Sequence, residues 1–408
     1  MKSLLNADQV RLCLAAFLRS LACGVTGVLL AIYLSTIGWS VRGTGALLTA
    51  GLAGIAVATL ATSLFADRAG RRRTLIVLAL LSGAGAAGLA LTRNPALLFA
   101  FAFPGLLNGL GRDRGPAYAL EQAMLPATTT PERRTYVLAW YSVAHDAGLA
   151  LGSLLAAAPA LLRAHAGWQP LAAYQATWGL VACLLVLPIS FYAAATAQLE
   201  APPASARSVW PSVAPASKRR IAGLAALMGM DSLGGGFLTS ALVSYWFFRR
   251  FGMTEETLAV LFFAARAANA ASHLAAAWLA RRIGLLNTMV FTHIPSSLFL
   301  IAVPFAPSMG WAAALFLARE ALVEMDVPTR QSYVLAVVQP GERAFASGVT
   351  TLTRNVAYAV APVGAGAAMT ELALASPLFL GAAVKIAYDL LLFFSFRRIK
   401  PPEEQARA

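Results

Sequence analysis

Twelve apolar runs, each long enough to cross a bilayer, leave this chain few folding options. A hydrocarbon core needs about 20 mostly apolar residues per helix. Punctuating the sequence at Gly, Pro and charge clusters gives runs at 9–36, 43–66, 74–92, 96–124, 136–162, 170–194, 221–248, 256–280, 287–306, 310–337, 345–368 and 376–396. Composition agrees: 59% of the 408 residues are hydrophobic and 12% charged, about half the charged fraction of a soluble domain. The expected fold class is therefore an all-α membrane protein with 12 transmembrane helices. The opening stretch looks like a signal peptide around Cys23, but Arg19 interrupts it and the apolar run continues to Ile37. It is read as a retained first membrane helix. Cys13, Cys23 and Cys183 all lie in apolar runs and offer neither a disulfide framework nor a metal spacing.

The longest polar break, 195–220, is rich in Pro, Ser and basic residues and reads as a cytoplasmic linker. It divides an N-terminal six-helix half, 1–194, from a C-terminal one, 221–408. A net charge of +14 would suggest nucleic acid in a soluble chain. With both termini and the even-to-odd connections on the cytoplasmic side, those segments hold 19 of the 32 Lys and Arg, Arg11 at the edge of the first run among them. The opposite loops hold five: Arg42, Arg93, Arg163, Arg249 and Arg250. This asymmetry follows the positive-inside rule and makes nucleic-acid binding unnecessary. The expected location is a cell inner membrane.

The halves also repeat. Residues 38–74 lie on 252–288 without a gap, placing Gly38 on Gly252, Leu47 on Leu261, Gly70 on Gly284 and Thr74 on Thr288. "RSLACG" (19–24) matches "DSLGGG" (231–236), and "DRGPAYAL" (113–120) lines up with "MDVPTRQS" (325–332) through Pro116 and Pro328.

"DRAGRRRT" (67–74), after the second run, resembles the signature loop of the major facilitator superfamily, with Ser63 where its first Gly is usual. The resemblance implies two six-helix bundles related by an axis along the membrane normal, with substrate near the midplane. Spans 1, 4, 7 and 10 would line the cavity. It also implies that Asp67 steadies the outward-open state from across the halves, with Arg68, Gly70 and Arg71 in the same cytoplasmic latch. Two family patterns are missing: "PGLLNGLG" (104–111) lacks the usual Arg of span 4, and "GLALGSLL" (148–155) has Ser153 where drug antiporters carry Pro.

Charge inside the runs marks the expected site. Each Arg, Lys or Asp at a helix centre costs roughly 2.5–3.5 kcal/mol on insertion. Span 1 carries Arg19; span 4 carries Arg112, Asp113 and Arg114; span 7 carries Asp231; span 10 carries Arg319, Glu320, Glu324, Asp326 and Arg330. Spans 3, 6 and 9 carry no Asp, Glu, Lys or Arg in their cores. The repeat sets Arg19 against Asp231, Arg112 against Glu324 and Arg114 against Asp326, which predicts charge pairs between the halves that form and break during transport. On a helix Arg112 and Arg114 lie about 200° apart and cannot share a target. Glu320 and Glu324, at i and i+4, are expected to share a proton. Asp326 and Arg330 have the same spacing, equally consistent with a local salt bridge and a cavity role. Lys385 and Asp389 read as a structural i, i+4 pair. His145 and Asp146 point about 100° apart, so one is a proton carrier or an interhelical hydrogen-bond partner. Arg354 and Asn355 either hold an anionic group or brace span 5, and Arg266 and His273 read as structural. Trp140, Tyr141, Tyr245, Trp246, Phe247 and Phe248 suit either substrate stacking or an interfacial belt.

These features predict a monomeric secondary active transporter, proton-coupled, moving a small organic molecule by alternating access, with efflux favoured on superfamily base rates. No cofactor or metal is implied. The alternatives are an anion-selective facilitator using cavity arginines, and a non-transporting membrane sensor. "GLGRDRG" (109–115) lacks the Lys-Ser/Thr of a phosphate loop, and no catalytic constellation marks an enzyme.

Overall fold

The computed structural model describes residues 5–130, 133–200, 215–325 and 343–396. Helices account for nearly all of them, and among the described residues no strand occurs. In chain order they are α1 Ala7–Thr36, α2 Val41–Ala69, α3 Arg71–Leu91, α4 Pro95–Ala102, α5 Pro116–Met124, α6 Arg134–Leu155, α7 Ala158–Ala166, α8 Pro170–Val186, α9 Pro188–Ala194, α10 Pro215–Phe237, α11 Ser240–Phe251, α12 Glu255–Ile283, α13 Leu285–Ala302, α14 Met309–Val323, α15 Arg343–Glu371 and α16 Ser376–Phe396. Eight of these helices, or abutting helix pairs, are long and apolar enough to cross a membrane. The ends follow local chemistry. Asn6 and Gln9 form a capping box that starts α1, Ser40 caps α2, and Pro occupies the first turn of α4, α5, α8 and α9, where a missing N–H is harmless.

The internal repeat has a backbone signature. Gly70 (φ +94°) and its match Gly284 (φ +88°) both separate consecutive helices in a conformation that side chains resist, as do Gly38 (φ +88°) and its match Gly252 (φ +64°). Positive-φ glycines at matched places are what a duplicated helical unit leads one to expect.

Contacts divide the chain into two units: Met1–Arg207 with Thr239–Phe263, and Ser208–Leu238 with Ala264–Ala408. The boundary falls in the α10–α11 break and inside α12. Residues 239–263 follow the linker in sequence yet pack in the first unit, where the Ser244 hydroxyl donates to the Val28 carbonyl at 2.8 Å. The start of the expected linker also packs there: Leu199 is fully buried, and the Glu200 carboxylate accepts from the Arg71 and Arg72 amides at 2.6 and 3.3 Å. A carboxylate at that helix N-terminus suits the α3 dipole.

Span 4 differs from the continuous helix expected over 96–124. α4 ends at Ala102, residues 103–115 are irregular, and α5 begins at Pro116. Within that segment Asp113 is buried, Arg112 half-buried and Arg114 exposed. Residues 112–114 are not helical, so the helical-wheel separation expected of Arg112 and Arg114 does not apply to them. Leu106 has φ +52°, a strained conformation for a bulky side chain.

Exposed peptide groups at membrane depth need partners. The Asn108 side chain supplies two, accepting from the Leu110 amide at 3.0 Å and donating to the Arg112 carbonyl at 2.8 Å. The start of α11 supplies two more: the Ala241 amide donates to the Gly109 carbonyl at 3.2 Å, and the Ser240 hydroxyl to the Leu110 carbonyl at 2.9 Å. The Ala241 amide is one of those a helix leaves unsatisfied at its N-terminus. Two broken spans thus complete each other's hydrogen bonds.

The break lies directly on α2. A Cβ on Gly54 would sit on the Phe103 carbonyl oxygen, whereas one on Gly179 meets open space. Gly54→Ala is expected to cost about 1–3 kcal/mol through overpacking, and Gly179→Ala to stabilise α8 by up to about 1 kcal/mol. Thermal unfolding of the two variants in detergent, compared with wild type, checks both signs.

Candidate functional site

Arg19 lies near the middle of α1, which packs tightly on α6: a Cβ on Gly148 or Gly152 would strike the backbone of Phe17 or Leu21. The guanidinium is directed into the first unit. Its Nε donates to Asp113 Oδ2 at 2.7 Å, and its Nη1 and Nη2 make a bidentate pair with Glu121 at 2.9 and 2.7 Å. Tyr141 donates to the same carboxylate at 2.6 Å, as does Tyr192, whose oxygen also accepts from Arg19 Nη1 at 3.1 Å. Glu121 is 0% exposed and Asp113 5%. A buried ion pair repays its desolvation only when its remaining atoms are hydrogen-bonded, and four donors on Glu121 meet that condition. One arginine thereby joins elements of spans 1, 4, 5 and 6.

The sequence pairs Arg19 with Asp231 across the halves. Each is instead engaged inside its own unit, Arg19 as above and Asp231 with Lys385. Matched positions in a repeat share an environment type, but the nearer partners on neighbouring helices take the charge.

His145 extends the cluster. Its Nε2 lies 2.8 Å from the Asp113 carbonyl oxygen and 3.8 Å from Asp113 Oδ2; its Nδ1 lies 3.1 Å from Asp146 Oδ1. The adjacent His145 and Asp146, expected to point apart, form one unit here, because the ring turns back toward its neighbour. Both ring nitrogens face acceptors. A neutral imidazole has one N–H, so the His145–Asp146 pair satisfies both contacts only by holding one additional proton.

A partly open cavity in the first unit reaches this cluster. Ile55, Leu75, Leu78, Val181 and Leu185 are among its apolar lining, and Arg19, Asn108, Asp113 and Tyr192 among its polar lining. The strained Leu106 also lines it.

The same unit carries a second charge clamp. Arg163 Nη2 donates to both oxygens of Glu255 at 2.9 Å, Tyr174 donates to Glu255 Oε1 at 2.5 Å, and the guanidinium stands 5.8 Å from the centre of the Tyr174 ring. Glu255 opens α12, so this clamp ties residues 239–263 to spans 5 and 6.

In the second unit, Lys385 donates to Asp231 Oδ1 at 2.7 Å and approaches His293 Nε2 at 3.3 Å, while His293 Nδ1 faces Asp389 at 2.9 and 3.0 Å. Lys385 and Asp389 are thus not each other's partners, as their spacing predicted; each reaches another helix. Glu320 does not form the expected Glu–Glu pair with Glu324: Arg319 holds it, together with Asn269 Nδ2 at 2.9 Å. Glu324 is buried just beyond the last turn of α14. Arg354 donates to the Ser232 hydroxyl at 3.0 Å and so braces α10. The neighbouring Asn355 has a buried Nδ2 with no hydrogen-bond partner among the described residues. Asp67 pairs with Arg71 at 2.7 Å on an exposed face, beside Arg68 and Gly70. Asp326, Arg330 and the His273 side chain lie outside the described residues.

Sequence reasoning missed Glu121, Tyr192, His293 and the Arg163–Glu255 clamp. His293 was detectable, since a polar ring in the middle of span 9 is a signal once histidine is counted with the other ionisable groups. Tyr141 reads from sequence only as a stacking surface or a belt residue, and its hydroxyl proves to matter more.

Comparison with known proteins agrees with this architecture. An uncharacterized membrane protein of Saccharomyces cerevisiae, YJR124C, is 26% identical over 416 positions, covering 94% of this chain and 92% of the relative. Among solved structures, a D-xylose-proton symporter superposes with a TM-score of 0.72 at 14% identity, covering 95% of this chain and 97% of its own. The nucleoside transporter NupG superposes with a TM-score of 0.71 at 12% identity, covering 96% and 99%. The sequence model of the Major Facilitator Superfamily matches residues 12–362. Twelve apolar spans, an internal repeat with matched turns, the signature loop and this match together place the chain in the Major Facilitator Superfamily, as an all-α multi-pass membrane transporter.

Proposed function

We propose that this chain is a proton-coupled secondary active transporter of a small amphipathic organic molecule, working by alternating access between the halves 1–194 and 221–408. The observation that carries the reading is His145, held between two acceptors beside the Arg19–Asp113 pair, which itself lines a largely apolar cavity. A proton on the His145–Asp146 pair is close enough to alter how Asp113 holds Arg19, and a substrate's polar group entering the cavity meets the same pair. Competition or cooperation between proton and substrate at one cluster is a physical route to coupling. An inner-membrane location with both termini cytoplasmic, a monomeric state and net efflux complete the reading; the first rests on the positive-inside asymmetry. The anion-clamp alternative loses support at Arg19, whose guanidinium is already occupied by two carboxylates.

A thermal-shift panel of metabolites and drugs on the purified protein identifies a substrate, and proteoliposome flux with and without an imposed pH gradient then tests coupling. His145→Gln is expected to cut gradient-driven flux by about tenfold or more, the scale of a lost proton-transfer group, while substrate counterflow persists. Equal losses in both modes would assign His145 to the scaffold.

A further inference from the structure

Away from that cavity, the second unit contains a chain of four ionisable side chains drawn from three helices: Asp231 on α10, His293 on α13, and Lys385 and Asp389 on α16. They are 3%, 1%, 6% and 0% exposed. The hydrogen-bond directions along this chain are constrained. The Lys385 ammonium can only donate, and it approaches His293 Nε2 at 3.3 Å and Asp231 Oδ1 at 2.7 Å. His293 Nε2 must then accept, so the single proton of a neutral ring is on Nδ1, facing both oxygens of Asp389.

Cationic charge collects at the Asp231 end: Lys385 is bonded there, and Arg354 of α15 braces the adjacent Ser232. On α14, the next element against α13, Arg319 and Glu320 hold each other with Asn269 of α12. Among the described residues, Asp389 is left at 0% exposure with the His293 ring as its hydrogen-bond donor. Burial still makes an ionised carboxylate with one neutral N–H donor costly, although the Lys385 charge on the same helix offsets part of that cost, and binding a proton removes the remainder.

We propose that Asp389 and His293 form a proton-binding site in the second unit, separate from the cavity cluster and linked through Lys385 to Asp231 on α10. When a proton binds, Asp389 becomes neutral and loosens its hold on the His293 Nδ1–H, which frees the ring to turn and leaves Lys385 to Asp231 alone. Proton occupancy at the back of α13 is thereby read out on α10, whose C-terminal end runs into the α10–α11 break. The site deepens the proton-coupled reading and rests on it for its role in transport, but proton binding itself can be measured without any substrate.

The probe is the proton. Infrared difference spectra of the purified protein in lipid, between mildly acid and mildly alkaline pH, are expected to show the carbonyl stretch of a protonated carboxylic acid. That band should be lost in Asp389→Asn and displaced in frequency in Asp389→Glu and His293→Gln. The glutamate variant keeps a carboxyl and covers the case in which the asparagine variant fails to fold. A wild-type band that none of the Asp389 or His293 variants alters, or a wild-type spectrum with no such band, would overturn the proposal. Wild-type flux indifferent to a pH gradient would instead sink the coupling reading, while the band assignment stood on its own result.

Discussion

Arg19→Met is expected to destabilise the protein by about 3–5 kcal/mol, the cost of breaking a buried ion pair and leaving its partners uncompensated. Here the abandoned partners are two carboxylates, Glu121 at 0% exposure and Asp113 at 5%. Membrane yield and thermal unfolding in detergent measure the loss. Arg19→Lys should recover little, because a point charge cannot replace the bidentate contact to Glu121 together with the bond to Asp113. Combining Arg19→Met with Glu121→Gln should recover more, since the second change removes one of the stranded charges while keeping an acceptor for Tyr141 and Tyr192. The exchange Arg19→Asp with Asp231→Arg, a rescue pair on sequence grounds, is expected to fail. It puts a third carboxylate beside Asp113 and Glu121, and a second cation beside Lys385. Recovery of folding in that exchange would show that the Arg19–Glu121 network is dispensable.

Joining Arg163→Cys to Glu255→Cys with a short bifunctional thiosulfonate is expected to reduce transport by more than tenfold, on the order of a step blocked outright, with recovery on reduction. Residues 239–263 pack in the first unit but are continuous with the second at both ends. Movement of one unit past the other must therefore either bend the chain at its two crossing points or release the Arg163–Glu255–Tyr174 clamp. Release is the cheaper course for an ion pair whose Arg163 side chain is 28% exposed, because water can re-solvate it. Cys183→Ser is the suitable background, since Cys183 is exposed whereas Cys13 and Cys23 are buried. Undiminished flux in the fully cross-linked protein would place the moving contacts elsewhere.

Much of the fold was legible in the sequence. Lipid denies hydrogen bonds to the backbone, so a long apolar run has essentially one solution, and its length, turns and repeat are local properties of the chain. Gly70 and Gly284 show this well: matched by sequence offset alone, they take the same positive-φ turn. The family loop was legible for the same reason, being a contiguous string.

The site was legible only in its ingredients. Arg19, Asp113, Asp231 and His145 stood out because charge in an apolar run is expensive, and they do belong to buried networks. Their partners did not follow, because a partner is chosen by which helices are neighbours and how each is rotated. Glu121 was overlooked near the end of a run, yet it holds Arg19. Lys385 and Asp389, one turn apart on α16, looked like a pair until α10 and α13 offered each a better one. Residues 112–114 were assigned helical geometry from the apolar residues around them, but the chain between α4 and α5 is irregular, and α11 supplies donors to the Gly109 and Leu110 carbonyls within it. The chain's local patterns by themselves determined a helical membrane protein with two repeated halves and a costly set of buried charges. Tertiary structure alone decided how those charges are satisfied. Ion pairing in a low-dielectric interior depends on contacts between segments 94 to 154 residues apart, as for Arg19 with Asp113 and Asp231 with Lys385, which no local pattern encodes.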